Sequence, residues 1–535
     1  MNLMSWKVVF GHISANNETY SYKEFCLDYE KRGVSTLLSL KGEFSFALFD
    51  PNTKSYFCAR DPLGVKPLYY TKVNEKYHFS STIEDLLKLP SVHNIPNLDA
   101  MKSMLSQRRV NYEETMYKNI YRLPPGHFMI VEEAQEHIER YWFPEKIKID
   151  YSISEEEAVQ KFKKLFAEAI ESRITNLKET AFEVSGGLDS SSVVSFLSQK
   201  DYTSILDSYS MDFQALPCDE SRYVNRILDK YPLNHQKIQV DKLDYSEEYS
   251  LKNLYVMSPN WPITLTFAMS LPMLYKMKQD GKKVVITGQG GDHIFTGSLF
   301  VLYDLFRRFK WISLYHELKH HTKPWLKIKS YIIKPLLGER LTKYILVTMG
   351  KTKSNLLLND VEYIEDLSYK IGITNPIIRN ELDMVTSAGY STMMDSCLFH
   401  CAEGYYDIEF RHPFFDKELV EFALSLPPEM KYKNKTIKWI LRKAMDGILP
   451  DKIRERKDKA EFSEVIIQQI DAIDLDTLLK DPYIVKLGLI EQSLIDKYRK
   501  EYEEKTSRYI VFLWTIINME YWYRYNFEKE TLEGI

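Results

Sequence analysis

The chain has 535 residues, 27% of them charged, and a formal net charge of −4. This length is enough for two or three domains, and the charge balance argues against general affinity for nucleic acid. With 13% aromatic residues the composition excludes a disordered chain. The five cysteines form no C-x-x-C pair, which favours a reducing compartment. Because the N-terminus has no apolar signal core and the apolar runs are too short or too charged to span a bilayer, we expect a cytoplasmic protein.

Short β-like runs separated by turns fill the first quarter of the chain. Their period-2 alternation predicts an antiparallel sheet over residues 1–145, with runs at 7–10, 44–49, 55–59, 67–70 and 77–80. The pattern changes near Pro144, and Ser154 followed by three glutamates predicts the start of a helix that runs to about Arg173.

Strands and helices alternate after this helix. Strands are predicted at 181–184, 205–211, 235–240 and 283–287, with helical segments between them, and the chain is mostly helical after Gly297. This order predicts a doubly wound α/β fold with a parallel sheet. We therefore expect two domains, an antiparallel sandwich over 1–145 and an α/β domain with helical additions over 146–535.

The segment Ser185-Gly-Gly-Leu-Asp-Ser-Ser191 joins the first of these strands to a predicted helix. Two glycines allow a tight turn whose N–H groups face inward, and hydroxyl groups and the helix start add favourable interactions with an anion. We expect a phosphate or pyrophosphate cradle formed by Ser185, Gly186, Gly187, Leu188, Asp189, Ser190 and Ser191. It is not the nucleoside-triphosphatase loop, because an Asp stands where that loop has Lys. A glycine-rich turn without a ligand is the alternative.

A second glycine turn, Thr287-Gly-Gln-Gly-Gly-Asp292, follows the strand at 283–287. In a parallel sheet both turns lie at the carboxyl edge, where ligands bind. We expect Gly288, Gln289 and Gly290 to contact a nucleotide, and Asp189 and Asp292 to hold Mg²⁺ ions that bridge the phosphates of ATP. A simple helix cap is the alternative for Asp292.

Several further motifs occur in an order that resembles the asparagine synthetase family over about residues 20–520. They are Gly42-Glu-Phe-Ser-Phe-Ala-Leu-Phe-Asp50, Ala59-Arg-Asp-Pro-Leu-Gly-Val-Lys-Pro-Leu-Tyr-Tyr70, Glu409-Phe-Arg-His-Pro-Phe-Phe-Asp416, Lys438-Trp-Ile-Leu-Arg442 and Lys459-Ala-Glu-Phe462. The resemblance implies a glutamine-amidotransferase-like domain followed by an ATP-pyrophosphatase domain that adenylates a carboxylate and forms an amide. It also implies that Lys459 stabilises the transition state and that Glu409 orients or deprotonates the amine.

Two departures from this family decide which member the chain resembles. Such amidotransferase domains carry Cys directly after the initiator Met, but residue 2 is Asn, so we expect no glutamine hydrolysis. Asparagine synthetases usually carry Glu, and β-lactam synthetases Tyr, at the position of Gln289, whose amide cannot act as a base at neutral pH. The departures resemble lasso-peptide cyclases, which close a macrolactam between an Asp or Glu side chain and the N-terminal amine of a precursor peptide. This implies a precursor peptide, a leader peptidase and a leader-binding protein as partners.

Residues 306–343 combine basic and aromatic side chains. Such a surface could hold a peptide, a partner protein or anionic lipid at the inner membrane surface, and a solvated basic face is the alternative. Three functions compete with macrolactam closure. They are an ammonia-dependent asparagine synthetase, a β-lactam-type synthetase, which Gln289 disfavours, and a non-catalytic peptide-binding scaffold, which the two intact glycine turns disfavour.

Overall fold

A computed structural model describes residues 5–15, 18–19, 22–106, 113–199, 206–214, 216–264, 266–337, 375–382, 385, 396–504 and 510–529. Side chains are described from Glu24 onwards. The residues 338–343 of the predicted basic segment lie outside the described part.

The strands fall into two groups along the chain. The first group is β1 Ser5–Ala15, β2 Glu18–Thr19, β3 Lys41–Asp50, β4 Ser55–Arg60, β5 Tyr69–Val73, β6 Lys76–Ser80, β7 Tyr121–Arg122, β8 His127–Glu132 and β9 Gln135–Arg140. The second group is β10 Thr180–Glu183, β11 Asp207–Asp212, β12 Asn234–Gln239, β13 Val284–Ile286 and β14 Glu409–Arg411.

The α-helices are described in three stretches. Up to the second glycine turn they are α1 Tyr22–Arg32, α2 Ile83–Leu87, α3 Leu98–Leu105, α4 Glu155–Glu171, α5 Leu188–Leu197, α6 Ser221–Lys230, α7 Leu251–Met257 and α8 Phe267–Gln279. From that turn to residue 337 they are α9 Gly291–Ile294, α10 Val301–Arg307, α11 Trp311–Leu318, α12 Pro324–Ile328 and α13 Lys334–Leu337. The last stretch contains α14 Ser396–Cys401, α15 Lys417–Ser425, α16 Trp439–Ala444, α17 Asp451–Arg454, α18 Ser463–Asp471, α19 Leu475–Leu478, α20 Tyr483–Lys486, α21 Gln492–Glu503 and α22 Ile510–Phe527.

The first group forms antiparallel sheets, as the alternating pattern predicted. Their strand orders are β2-β1-β3-β4-β8-β9 and β6-β5-β7. In β3, Phe44, Phe46 and Leu48 face one core, while Ala47 faces another that it shares with Cys58. This alternation buries both faces of the larger sheet, because β-strand side chains point to opposite sides in turn.

The second group forms one parallel sheet in the order β12-β11-β10-β13-β14, so the predicted α/β fold is confirmed. The strand order reverses direction between β10 and β13, which places the two glycine turns at the switch point where α/β sheets bind ligands. In this sheet, strand β14 was not predicted. It pairs with β13 and comes from the region that was expected to be mostly helical.

Helix α4 begins where the sequence predicted. Ser154 and Glu157 form a capping box, in which Ser154 Oγ accepts from the Glu157 N–H at 3.2 Å and the Glu157 carboxylate accepts from the Ser154 N–H at 2.9 Å. Phe162 and Phe166 on this helix pack against Phe295 and Phe414, which anchors the segments that carry the second turn and β14.

Buried ion pairs join the two halves of the chain. Arg173, just after α4, contacts Glu43 of β3 at 2.9 Å and Asp416 at 3.2 Å, and Glu43 also accepts the His412 N–H at 2.7 Å. Arg173 and Glu43 are both almost fully buried. Breaking such a pair leaves an uncompensated charge, so these contacts fix the first sheet on the second. The domain limits 1–145 and 146–535 stay a prediction.

No helix among the described residues combines the length and apolar character needed to cross a membrane.

Candidate nucleotide site

The loop after β10 folds back onto the first turn of α5. Ser190 Oγ accepts the Ser185 N–H at 3.0 Å and lies 2.8 Å from Ser185 Oγ. Gly186 has φ +73°, and a Cβ there would lie 2.9 Å from Cβ of Tyr223. Only glycine therefore fits at this position, as its conformational freedom and small size allow.

The second glycine turn lies directly against the first. A Cβ on Gly288 would lie 2.2 Å from the Ser190 nitrogen, and one on Gly291 would lie 2.4 Å from Cγ of Asp189. The glycines thus permit a backbone-to-backbone approach that brings both turns to one place, as expected for turns at one edge of a sheet.

One lysine holds the two predicted metal ligands together. Nζ of Lys438 bonds to Asp189 and lies 2.7 Å from Asp292 Oδ1, while Lys459 Nζ lies 2.6 Å from Asp292 Oδ2. Lys438 is buried and has φ +57°, the left-handed conformation, at the start of α16. Lys459, by contrast, has 65% of its side chain exposed.

The two carboxyl groups differ in electrostatic environment. Burial raises the pKa of Asp189, and the neighbouring Lys438 offsets this only in part. Burial also opposes ionisation of Asp292, but Lys438 and Lys459 outweigh it and lower its pKa. Asp189 Oδ1 is buried and has no hydrogen-bond partner among the described residues. An oxygen of this kind is available to a cation.

A cavity of about 460 Å³ opens beside the turns. Ser185, Gly187, Leu188, Asp189, Ser190, Gly288, Gln289, Asp292 and Lys459 line it, as predicted for a shared site. Gly186, Ser191 and Gly290 are buried behind this lining and shape the turns instead. The lining also includes three basic side chains, Arg442, Arg456 and Lys457, and six apolar ones, Met211, Phe213, Met269, Leu398, Phe410 and Phe462.

Glu409, the predicted amine-orienting residue, also does not line this cavity. Arg411 donates to its Oε2 at 2.6 Å, and Lys66 Nζ lies 3.3 Å from its Oε1. Burial opposes ionisation, but these two cations lower the pKa of Glu409 to about 2. A carboxylate held in this way is a weak base, so the role expected for Glu409 stays a prediction.

Three residues of this site had no role predicted from the sequence. Lys438 stood in a quoted motif without a role, and Glu183, at the end of β10, carried no signal. Arg456 belongs to the basic cluster at 454–459. It bonds to Glu220, donates to the Gly186 carbonyl at 3.3 Å and stacks on Tyr223 at 4.1 Å from the ring centroid.

A parallel sheet with two glycine turns and a basic cavity at its switch point defines an α/β nucleotide-binding enzyme. Residues 161–524 match the family model described as asparagine synthase, and residues 16–142 match the glutamine amidotransferase domain. The chain belongs to the asparagine synthase family, and it is an ATP-dependent carbon–nitrogen ligase.

Curated relatives agree with this assignment. Asparagine synthetase (glutamine-hydrolysing) 3 of Bacillus subtilis is 28% identical over 459 residues, 82% of this chain and 68% of the relative. Asparagine synthetase (glutamine-hydrolysing) 1 of the same organism is 24% identical over 567 residues, covering 96% and 85%. The amidase chry2 of Gibberella zeae is 25% identical over 490 residues, covering 81% and 71%.

Proposed function

We propose that this chain is a macrolactam synthetase of the lasso-peptide cyclase type. It adenylates the side-chain carboxylate of an Asp or Glu in a precursor peptide, and the N-terminal amine of that peptide displaces AMP. The observation that carries the proposal is the lining of the cavity, to which Gln289 and several apolar side chains contribute.

That lining favours a peptide over free aspartate. Met211, Phe213, Met269, Leu398 and Phe410 offer no charge to the α-carboxylate of an amino acid, and unpaired charges are costly to bury. Gln289 replaces the ionisable residue that related synthetases carry, and its amide can donate and accept hydrogen bonds to a peptide backbone.

The phosphates of ATP fit the part of the same cavity that the glycine turns form. The Ser185 loop supplies backbone N–H groups and hydroxyls, and Lys459 can move from Asp292 to the phosphates because most of its side chain is exposed. A cation placed there stabilises the charge that develops on departing pyrophosphate.

Mg²⁺ fits the carboxylates of Asp189 and Asp292. Mg²⁺ in phosphate sites is usually held by one or two carboxylates together with substrate oxygens and water. Asp189 offers a buried oxygen without a partner among the described residues, and the Asp292 carboxylate is partly exposed to the cavity. When bound, Mg²⁺ would neutralise phosphate charge, while Asp189 and Asp292 would orient it.

A tethered amine also fits the chemistry of the first domain. Among the described residues of that domain, Cys26 and Cys58 are buried, and burial raises the pKa of Cys58 well above its ordinary value. Neither thiol is suited to attack glutamine. We infer that a leader peptidase and a leader-binding protein deliver the precursor with a free N-terminal amine.

The test is to incubate the protein with ATP, MgCl₂ and a synthetic peptide that has a free N-terminus and one internal Asp or Glu. We expect AMP, pyrophosphate and a peptide whose mass is lower by one water. The same peptide with an acetylated N-terminus is the matched control and should give no cyclic product.

The competing outcome uses aspartate and ammonium in place of the peptide. Formation of asparagine at a rate above that of peptide closure would overturn the proposal in favour of an asparagine synthetase, the activity named for the Bacillus relatives. Failure to bind Mg-ATP in calorimetry would point to a scaffold.

A further inference from the structure

Helices α11 to α13 expose an unusual set of apolar side chains, here called the basic aromatic surface. It comprises Phe309, Trp311, Ile312, Tyr315, Trp325, Leu326, Leu336 and Leu337, with Ile312 77%, Phe309 75% and Trp325 63% exposed. Large apolar patches on a protein surface mark binding sites.

A hydrophobic core lies beneath this surface. Val301, Leu302, Leu305, Leu314 and Ile332 form a separate core beneath it, to which Tyr432 contributes. The exposed aromatic residues are therefore the outward side of packed helices.

The charged residues of this segment are mostly basic. Residues 309–337 contain six lysines and a single acid, Glu317. Glu317 is buried, and its carboxylate accepts the N–H groups of Asn434 at 2.7 Å and Lys435 at 3.2 Å. Lys319, Lys323 and Lys329 are exposed, so the outer face is cationic within a chain whose formal net charge is −4.

We propose that the basic aromatic surface binds the surface of an anionic phospholipid bilayer. Trp and Tyr prefer the headgroup region, where one part of the ring is apolar and another is wet, and lysines near them attract acidic lipid. Other residues line the cavity beside the glycine turns, whereas rings and lysines spread along several helices offer lipid a broad contact.

The test is sedimentation of the full chain with vesicles of phosphatidylcholine alone or mixed with phosphatidylglycerol. We expect binding only to the mixed vesicles, weakened by salt, and about tenfold weaker for Lys323→Glu with Lys329→Glu. Trp311→Ser with Trp325→Ser should also weaken it. Tyr275→Ser, at an exposed aromatic on α8, and Lys480→Glu are matched controls that should bind like the parent.

Absence of binding to the mixed vesicles would overturn the proposal, whatever peptide or protein the surface captures. Equal binding by the tryptophan variant would overturn the role of the aromatic side chains. Circular dichroism of each variant distinguishes loss of binding from loss of folding.

Glu183 is the last residue of β10. Glu183 pairs with Tyr209 of β11, and Phe182 pairs with Ile286 of β13, so Glu183 and Thr287 are adjacent where these strands end. Its side chain follows Ala181 on the face that packs against α8, and it lines the nucleotide cavity.

The other carboxylates around this cavity are already paired. Asp189 and Asp292 contact Lys438, and Arg456 bonds to Glu220 and lies 3.4 Å from Asp458. Glu183 makes no ion pair or side-chain hydrogen bond with any residue that the structure describes.

We infer that Glu183 accepts the proton of the attacking amine. This rests on the proposed function. The amine nitrogen forms a bond to the carbonyl carbon of the acyl-adenylate, the bond from that carbon to the phosphate oxygen breaks, AMP leaves with the electron pair, and the proton passes to the Glu183 carboxylate.

The environment of Glu183 suits this role. Burial raises its pKa to about 7, so its carboxylate is present near neutral pH and can hold a proton. Three cations of the cavity contact other carboxylates, Lys438 and Lys459 those of the glycine turns and Arg456 that of Glu220, and Tyr209 on the adjacent strand is bonded to Asp280. Gln289 cannot accept the proton, and Glu409 does not line the cavity.

The test compares Glu183→Gln and Glu183→Asp with the parent, using Mg-ATP and the free-amine peptide. We expect Glu183→Gln to release pyrophosphate in the adenylation step but to close the ring, and so release AMP, at least about 100-fold more slowly. Hydroxylamine is a nucleophile that is already unprotonated at neutral pH. It should therefore react equally well with the acyl-adenylate of Glu183→Gln and with that of the parent. Glu183→Asp should restore part of the rate.

Unchanged ring closure and pH profile in Glu183→Gln would overturn the assignment. A raised Kd for Mg-ATP with unchanged closure would make Glu183 a nucleotide contact instead. Absence of any AMP from the parent would count against the proposed function and is therefore a separate outcome.

Discussion

Asp189 and Asp292 share one cation, because the Lys438 ammonium group bonds to Asp189 and lies 2.7 Å from Asp292 Oδ1. The two carboxylates belong to turns about 100 residues apart in sequence, and the lysine comes from a third segment. This shared cation compensates two charges that would otherwise repel each other in a partly buried site.

Replacing this lysine should therefore disable the site. We expect Lys438→Met to lower the rate of ATP-dependent AMP formation at least about 100-fold, because the carboxylates lose the charge that positions them. Pyrophosphate release measures this. Lys443→Met, on the same helix but half-exposed beside Glu155, is the control and should retain the parental rate. A fully active Lys438→Met variant would contradict the role.

The contact between the glycine turns can be tested at Gly291. A Cβ there would lie 2.4 Å from Cγ of Asp189, so we expect Gly291→Ala to displace that carboxylate and to destabilise the fold by about 1–3 kcal/mol. Calorimetry with Mg-ATP should give a raised Kd. Gly404→Ala, where nothing lies within 4 Å, should leave binding unchanged.

The ion pair between the two halves of the chain predicts a stability effect. Glu43→Ala leaves Arg173 buried and short of a partner, and should lower the free energy of unfolding by about 3–5 kcal/mol. Urea denaturation measures this. Lys41→Ala removes the more exposed pair with Glu418 and should cost less than about 1 kcal/mol. Similar losses in both variants would show that burial does not decide the effect.

His412 predicts how stability depends on pH. Burial lowers its pKa to about 4 from 6.5, and Thr287 Oγ1 lies 2.8 Å from its Nδ1. As the pH falls, His412 therefore binds a proton in the unfolded chain before it does so in the folded chain. Its contribution to the free energy of unfolding is complete above pH 6.5 and is lost as the pH drops towards 4. The loss should approach about 3 kcal/mol, and His412→Gln should flatten this part of the curve. His137→Gln, at an exposed site, should leave the curve as it is.

Short sequence motifs were sufficient to predict the parts of the site that form within a single segment of the chain. The Ser185 loop, the second glycine turn and the start of α4 depend on glycines, hydroxyls and a capping box within a few residues of each other, and such signals are visible in sequence. Parallel strands β10 and β13 then bring the two turns to one edge.

Contacts between distant segments were not visible in the same way. Lys438 contacts Asp189, which is 249 residues away in sequence, and Lys66 contacts Glu409 across the interface between the sheets. The spacing of apolar and polar residues within a segment carries no information about either contact. Strand β14 is as short as β13, but two of its three residues, Glu409 and Arg411, are charged, so it lacks the apolar run that indicated β13. Glu183 is a charged residue between Phe182 and Val184, but only the fold shows that it lines the cavity.

The position of Arg173 between Glu43 and Asp416 has a consequence for how this chain can evolve. A mutation in the amino-terminal sheet that breaks these ion pairs also destabilises the synthetase domain, whichever reaction the sheet performs. Its inward-facing charges should thus persist under purifying selection, because they complete the buried ion pairs with Arg173.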